Sequence, residues 1–565
     1  MTVTHISELK MPSKSTRRQS VAASAFSSLG AALTERVRGS DVVPSTTAHE
    51  VDYVVIGAGS AGCVVANRLS QTKDVSVLLI EAGGPAEDAA LRKFPAVFTE
   101  FFGSRFDWKY QTEQQKHLHD RIINWPRGKV FGGTSAINAM IYIRGHRLDY
   151  DRWAEQLGDP RWSFDRVLPF FKKSENNRND KLVSSRFHSS TGELSVESTT
   201  KNSQLEQAVL DSLKSKRVTV NPKWDFNGKQ QEDAAGFYQF TVKDGKRHSS
   251  ASAFLTPVLN SRKNLNAKPW SLATRLLWEN RRVAGVEYVS NDWEIQAVRA
   301  RREVIVCAGA VDSPQLLMLS GIGPAQELRR HGISVRADLP GVGANLQDHL
   351  MVPVTLNSRL KLDPDWTGFG GLFFRSALAA ANDSPDLQFY FADIVNKQKI
   401  RNVAETTSGL FLAASFGTPY SRGQIALRSP NPLSKPVIQP NYLSDDRDLK
   451  ILVEGLEFVR EVASSKEVVR VTDGEAIHPE AKIKYLTDDQ VKVVRQYATT
   501  IWHPAGTCKM GVDDLSVVDS QLRVRGVDGL RVADASIMPI LVNGNTNAPC
   551  IMIGEMVSSM IRQHA

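Results

Sequence analysis

The sequence predicts an α/β protein in which a Rossmann-type dinucleotide-binding domain, discontinuous along the chain, is joined to an α+β domain built on an antiparallel sheet. Three observations carry this prediction. A strand–turn–helix–strand pattern starts at Val51, two later apolar strands run into small-residue turns, and segments of alternating apolar and polar residues lie between them.

The length and composition are those of a folded, multidomain protein. The chain has 565 residues, of which 41% are hydrophobic and 23% charged, and these values exclude a disordered or fibrous chain. Cys63, Cys307, Cys508 and Cys550 are far apart and form no CxxC pair. This spacing excludes a disulfide scaffold and a cysteine zinc site, so we expect isolated buried thiols and no metal.

The formal charge of +9 is spread over the chain without a run of lysine and arginine. No basic stripe alternates with aromatic residues, so nucleic-acid binding is not indicated. No apolar run reaches the ~18 residues of a membrane helix, and we expect no transmembrane segment.

Residues 1–49 are rich in serine, threonine, alanine and arginine and precede the first strand pattern. This composition predicts a disordered leader. Arg17 and Arg18, followed by a weakly apolar stretch at 21–33, also fit a twin-arginine export signal or an organelle transit peptide. Serines dilute that stretch, which favours a cytoplasmic extension over either signal.

The segment from Val51 to Glu81 has the pattern of a βαβ unit with a GxGxxG turn, GAGSAG. Gly57 permits the tight turn, Gly59 lets backbone amides approach a pyrophosphate, and Gly62 lets the helix pack closely on the sheet. The residues between them, Ser60 and Ala61, begin the helix, whose N-terminus faces the anion. Glu81 ends the second strand, where its carboxylate can bind a ribose hydroxyl.

Two later segments, 302–324 and 530–539, are apolar strands that run into small-residue turns. In a doubly wound sheet they return beside the first βαβ unit, so Gly309, Asp534 and Ala535 are expected at its ligand-binding edge. The alternating segments 236–242 and 386–391 indicate an antiparallel sheet with one covered face.

Four ordered motifs together resemble the glucose-methanol-choline (GMC) oxidoreductases, most closely their choline-dehydrogenase-like branch. These motifs are GAGSAG with Glu81, GKVFGGTSAINAMIYIRG (128–145), GAVDSPQLLMLSGIG (309–323), and WHPAGTCKMG (502–511) followed by NGNTNAP (543–549). The resemblance runs from about Val51 to the C-terminus. It implies FAD as the cofactor, whereas the glycine turn alone would equally accommodate NAD.

The resemblance also implies the cofactor contacts of two further segments. Those in the loop are Gly132, Gly133, Thr134, Ser135, Asn138 and Ala139, and those near the C-terminus are Asn545 and Thr546. In some relatives the residue before the loop asparagine is a histidine bonded to the flavin. Here that position is Ile137, so we expect non-covalent FAD.

The resemblance implies that His503 is the active-site histidine of the family and that Asn547 occupies the second catalytic position, which holds histidine or asparagine. The implied reaction is the oxidation of an alcohol, expected to be primary, with His503 as base and hydride transfer to flavin N5. A dehydrogenase is favoured over an oxidase, and the electron acceptor, a quinone or molecular oxygen, stays open. The alternatives are a flavin-containing lyase or another non-oxidative enzyme on this scaffold, and a flavin-binding protein without catalytic activity.

These patterns divide the chain into six segments. We expect the leader at 1–49, parts of the FAD-binding domain at 50–160, 236–350 and 501–565, a mixed segment that starts the substrate domain at 161–235, and the substrate-binding domain at 351–500. Insertions of the substrate domain are expected within 236–350.

Overall fold

One mixed sheet organises the dinucleotide-binding part of the molecule. The computed structural model describes residues 16–39, 49–87, 91, 95–198, 203–232, 234–362, 368–400, 403–476 and 489–563, and seven strands of this described part form the sheet. In sheet order they are Leu265–Lys268, Val77–Ile80, His49–Ile56, Ile295–Val306, Arg282–Val289 and Leu272–Glu279, with Leu530–Val532 paired to the end of Ile295–Val306. The first four strands of this order run parallel to one another. Arg282–Val289 is antiparallel to both of its neighbours, Ile295–Val306 and Leu272–Glu279.

A second, largely antiparallel sheet forms the other part of the molecule. Within the described residues it has eight strands: Thr472–Ala476, Leu350–Ser358, Val403–Phe416, Leu387–Ile400, Phe369–Phe374, Ala234–Phe237 and Thr219–Val220 in sheet order, with Thr499–Thr500 paired to Leu350–Ser358. The predicted fold class is confirmed: a discontinuous Rossmann-type domain is combined with an α+β domain on an antiparallel sheet.

Helices cover both sheets. The longer ones are Thr16–Arg38, Ser60–Leu69, Arg147–Leu157, Phe164–Ser174, Gln204–Ser215, Gly309–Leu319, Asp446–Ala463, Gln490–Tyr497 and Asn547–Gln563. Short helices lie at Pro95–Phe101, Lys116–Leu118, Gly133–Ala136, Pro160–Trp162, Asp180–Val183, Ala251–Leu255, Thr256–Leu259, Ala325–Arg330, Lys466–Val469 and Ala535–Ile537.

Short strands connect these layers. Ile141–Tyr142, Gln239–Phe240, Leu194–Ser198 and Glu175–Asn177 form a small sheet. The two-stranded pairs are Tyr110–Gln111 with Asn124–Trp125, Val242–Lys243 with Lys246–Arg247, Ile322–Gly323 with Ala337–Asp338, and Gln424–Ala426 with Val437–Gln439.

The first and last helices of the dinucleotide-binding part are buried against each other. Ser60–Leu69 and Asn547–Gln563 are apolar over most of their lengths, and Arg68 joins them through a buried ion pair to Glu555 at 2.6 Å. The four cysteines are all buried and free, as predicted. Among the described residues no helix is both long enough and apolar enough to cross a membrane.

The segment before the first strand contains a helix, Thr16–Arg38, whose second half packs on the body of the protein. Leu33 and Val37 are 0% and 3% exposed. Arg36 Nε donates to the buried Glu287 carboxylate at 2.7 Å, and the Arg36 carbonyl accepts from Arg275 Nη1 at 2.8 Å. The prediction that residues 1–49 are a disordered leader is therefore wrong for this part. Leu33 and Val37 lie one helical turn apart, a spacing that the alanines and serines around them obscure.

Replacing Leu33 with aspartate should release this helix, because a buried unpaired carboxylate costs several kcal/mol. Backbone amides of 27–38 should then exchange hydrogen at least about ten times faster, which exchange mass spectrometry measures. Ala32→Asp places the same charge on the exposed face of the helix and is the matched control. Equal exchange in both variants would show that the helix does not depend on this contact.

Candidate active site

The predicted glycine turn joins strand His49–Ile56 to helix Ser60–Leu69 and leaves a space that no side chain fills. Gly57 has φ +96°, and a Cβ there would lie 2.4 Å from the Cys307 carbonyl oxygen. A Cβ at Gly62 would lie 1.8 Å from the Gly57 oxygen. A Cβ at Gly59, by contrast, has a single described atom within 4 Å, the Cys307 oxygen at 4.0 Å. Gly57 and Gly62 therefore allow the turn to form, and Gly59 leaves room for a ligand.

Glu81 closes the other side of this turn. Its carboxylate accepts hydrogen bonds from the backbone amides of Ala58 at 2.9 Å and Gly83 at 2.8 Å. Burial raises the pKa of Glu81 to about 7, against the effect of these two bonds. The side chain is thus fixed at the end of its strand, in the position that the dinucleotide prediction requires.

The predicted cofactor loop lies directly over the glycine turn. Gly132 N donates to the Ala58 carbonyl at 2.7 Å, and a Cβ at Gly133 would lie 2.7 Å from Gly59 Cα. The polar side chains of the loop are used within the protein: Ser135 Oγ donates to the Gly132 carbonyl at 2.6 Å, and Asn138 Oδ1 accepts from Met140 N at 3.0 Å. These bonds fix the shape of the loop over the glycine turn.

The two returning strands bring Gly309 and Asp534 together as predicted. Asp534 Oδ2 accepts from Gly309 N at 2.9 Å and from Ser313 Oγ at 2.6 Å, and Oδ1 accepts from Ser536 N at 2.8 Å. This carboxylate joins the start of helix Gly309–Leu319 to the turn after Leu530–Val532.

One continuous cavity of about 660 Å³ connects these elements. Its lining includes most of the predicted site: Gly57, Gly59, Ser60, Ala61, Glu81, Gly133, Thr134, Ser135, Asn138, Ala139, Gly309, His503, Asp534, Ala535, Asn545, Thr546 and Asn547. Gly62 and Gly132 are not part of the lining. They contact the glycine turn instead, Gly62 by packing on the Gly57 oxygen and Gly132 by donating to the Ala58 carbonyl. The size and the glycine-lined wall of the cavity fit a dinucleotide cofactor. Ile137 also lines the cavity, and its hydrocarbon side chain cannot form a covalent bond to the cofactor.

His503 lies in this lining at the junction of the two sheets. The buried Asp348 carboxylate accepts from His503 N at 2.7 Å through Oδ1 and from the Thr500 hydroxyl at 2.5 Å through Oδ2. The Tyr442 hydroxyl also bonds to Asp348. Burial raises the pKa of Asp348 to about 6. These contacts fix the backbone on which the histidine ring is mounted.

A chain of hydrogen bonds determines which nitrogen of His503 carries a proton. His349 Nε2 lies 2.6 Å from the Gly417 carbonyl oxygen, and because a carbonyl only accepts, this nitrogen is protonated. His349 Nδ1 is then the acceptor for His503 Nδ1–H at 2.9 Å. His503 Nε2 is consequently left as an unprotonated base.

The pKa values of both rings support this assignment. Burial lowers the pKa of His349 to about 4. Burial, followed by the neighbouring His349 and the guanidinium of Arg127, lowers the pKa of His503 well below its ordinary value of 6.5. Both rings are therefore neutral near pH 7.

The asparagine beside His503 is Asn545. Its Nδ2 lies 3.3 Å from His503 Nε2, and its Oδ1 is buried without a hydrogen-bond partner in the described part of the chain. Asn547 instead accepts from the Ser60 hydroxyl at 2.8 Å and starts the last helix. The prediction that Asn547 is the partner of His503 is therefore wrong. The motif NGNTN contains asparagine at every second position, and the sequence alone did not show which of them faces the histidine.

The sequence alone indicated no functional role for His349, Asp348 or Arg127. Asp348 and His349 directly precede strand Leu350–Ser358, but no local pattern links them to a histidine more than 150 residues later. The role of His349 becomes visible only in the folded structure, where the two buried histidines share a hydrogen bond.

Family comparisons assign most of the chain. Two models described as GMC oxidoreductase match residues 51–351 and 419–554. The alcohol dehydrogenase [acceptor] of Pseudomonas putida is 41% identical over 90% of this chain and 95% of its own length. The mitochondrial choline dehydrogenase of Homo sapiens is 40% identical over 92% and 91%, respectively. The chain belongs to the GMC oxidoreductase family.

Solved structures agree with this assignment. Pyridoxine 4-oxidase from Mesorbium loti matches with a TM-score of 0.82 and 31% identity, covering 91% of this chain and 100% of that one. A variant of the formate oxidase of Aspergillus oryzae RIB40, prepared for a study of its FAD modification, matches with a TM-score of 0.82 and 25% identity, covering 92% and 99%. The predicted cofactor, FAD, is confirmed, and the glycine-lined part of the cavity fits it.

Replacing Gly59 with valine should prevent FAD loading while the protein still folds. Gly59 has φ −81°, which any residue adopts, and the added side chain enters the cavity where the turn would hold the cofactor. Gly62→Val is the comparison, since its side chain would clash with the Gly57 oxygen and destabilise the fold itself. Thermal unfolding and the absorbance of flavin released by acid distinguish the two cases. Normal flavin content in a folded Gly59→Val protein would contradict this placement.

Proposed function

We propose that this FAD-dependent oxidoreductase oxidises a primary alcohol to an aldehyde, with His503 Nε2 as the base. The observation that carries the proposal is the hydrogen-bond chain through His349, which leaves this nitrogen unprotonated in the cavity wall. The two curated relatives act, by their names, on alcohol and choline. They give the lyase alternative no support.

When bound in the glycine-lined part of the cavity, FAD would supply the acceptor for the hydride that leaves the alcohol carbon. Within the protein, His503 Nε2 takes the hydroxyl proton. Asn545 Nδ2, which now donates toward this nitrogen, is placed to donate to the substrate oxygen. The alcohol thus loses one proton and one hydride, and the carbon–oxygen bond becomes that of an aldehyde.

The electrostatics around His503 act on both partners of the proton transfer. The imidazolium formed by the reaction is buried near Arg127, and both effects lower its pKa, so it readily gives up the proton after turnover. The same guanidinium stabilises negative charge on the substrate oxygen. His349 keeps the ring orientation because it holds the Nδ1 proton throughout.

For the electron acceptor we propose a quinone or a similar carrier in place of oxygen. The support is the similarity to two dehydrogenases, each about as close to this chain as the other. Turnover measured with a dye acceptor and with an oxygen electrode on the same preparation tests this choice.

His503→Ala should retain FAD, because the glycine turn and Glu81 are untouched, but flavin reduction should slow by about 10² to 10⁴-fold, the usual contribution of a general base. Asn545→Ala should lose less, since only a hydrogen-bond donor is removed. Asn547→Ala tests the corrected assignment and should have the smallest effect on the reduction rate. Anaerobic stopped-flow with the best alcohol substrate measures all three. A His503→Ala protein that reduces at the wild-type rate would overturn the role of the base.

The pH dependence of reduction should reflect the lowered pKa of His503. Because the folded-state pKa lies well below 6.5, the base is unprotonated near pH 7 and the limiting rate should be constant around neutral pH, falling only at more acid pH. Arg127→Met should raise this pKa and move the acid limb to higher pH. A wild-type inflection at or above 6.5 would contradict the account.

A further inference from the structure

We propose that the alcohol site is selective for uncharged, apolar primary alcohols and discriminates against quaternary amino alcohols such as choline. This inference rests on the proposed alcohol oxidation and goes on to name its substrate class. It is carried by the apolar wall opposite the glycine turn, by the state of the carboxylates in the cavity, and by the charge beside His503.

The wall of the cavity on the second sheet is made of apolar side chains. Met351, Phe369, Tyr390 and Phe411 come from four neighbouring strands, line the cavity and belong to one packed cluster together with Ile501. Ile501 is two residues from His503 in the sequence, so this surface adjoins the base. A substrate whose carbinol group reaches His503 would lay its carbon chain on this wall.

The polar groups nearest to this wall are turned into the sheet. The Tyr390 hydroxyl donates to Gln388 Oε1 at 2.6 Å, and Gln388 Nε2 donates to the Tyr238 hydroxyl at 2.9 Å. Tyr390 therefore presents ring carbon to the cavity. A polar or charged substrate tail would find no open hydrogen-bond partner in these residues.

Every carboxylate in the described lining is held by hydrogen bonds within the protein. The acidic residues of the lining are Glu81, Asp107, Asp312 and Asp534. Glu81, Asp107 and Asp534 accept hydrogen bonds from backbone amides, and Asp312 accepts from the Tyr110 hydroxyl. Three of them, Glu81, Asp312 and Asp534, belong to the dinucleotide-binding part.

A positive charge, the guanidinium of Arg127, lies near His503, and the carboxylates of Asp348 and Asp107 face that guanidinium in turn. Arg127 lowers the pKa of His503 and holds the adjacent backbone by donating to the Trp502 carbonyl at 2.6 Å. A guanidinium that disfavours a proton on the imidazole also disfavours a quaternary ammonium bound two carbons from the reacting hydroxyl.

The aromatic rings of the lining offset part of this cost. Phe102 packs edge to face between Phe98 and Trp502, at centroid distances of 5.8 and 4.7 Å. A cation over an aromatic face gains about 0.5 to 1 kcal/mol at an exposed site and about 2 kcal/mol or more when desolvated, whereas an unpaired charge taken from water loses several kcal/mol. An apolar tail, in contrast, gains about 0.8 kcal/mol for each buried methylene group.

The experiment measures anaerobic flavin reduction of the holoenzyme by choline and by its carbon isostere, 3,3-dimethylbutan-1-ol. In the isostere a quaternary carbon replaces the ammonium nitrogen. The two alcohols have the same shape and differ in charge. We expect kcat/KM for the isostere to exceed that for choline by at least about 100-fold. Choline reduction as fast as that of the isostere, or faster, would overturn the selectivity and leave alcohol oxidation intact. Failure of the isostere, of choline and of a panel of primary alcohols to reduce the flavin would overturn both.

A charge introduced into the wall tests the physical cause. Met351→Glu should shift the ratio of the two kcat/KM values toward choline by at least about tenfold, because a carboxylate then faces the substrate tail. The glutamine of Met351→Gln has the same shape as the glutamate of Met351→Glu but no charge, so this variant should leave the ratio near the wild-type value. An equal shift in both variants would show that shape, and not charge, sets the selectivity.

Discussion

The hydrogen bond from His349 Nε2 to the carbonyl oxygen of Gly417 is the constraint on which the active site depends. It fixes the proton on the far side of His349, which makes His503 Nδ1 a donor and His503 Nε2 a base. Gly417 follows a strand of the second sheet, His349 precedes another, and His503 belongs to the C-terminal return to the first sheet. The base therefore exists only when the two sheets are correctly joined.

The same junction explains why the dinucleotide-binding domain is discontinuous. The glycine turn, the loop at 132–139 and the turn after Leu530–Val532 come from distant parts of the chain, yet all line one cavity. Close backbone contacts hold them, such as Gly132 N to the Ala58 carbonyl, and the carboxylate of Asp534 bonds to Gly309 N. The second sheet then supplies the apolar wall, so cofactor and substrate sites share one space.

Sequence patterns correctly predicted those features of the fold and site that depend on residues close together in the chain. The glycine turn, Glu81 and the returning strands could be placed from sequence because each depends on residues close together in the chain. Asn545 could not be told from Asn547, since the difference is a rotation of side chains in an extended segment, and His349 acts through a contact between distant residues. The N-terminal helix was missed because its packing rests on a few positions, above all Leu33 and Val37.

The protonation state of His503 is the central claim, and nitrogen NMR of the flavin-loaded protein measures it directly. The chain has 12 histidines, so ring-labelled histidine combined with a His503→Gln sample identifies the two signals of this residue. Near pH 7 we expect a neutral ring with the proton on Nδ1 and an unprotonated Nε2. A proton on Nε2, or on both nitrogens, would contradict it.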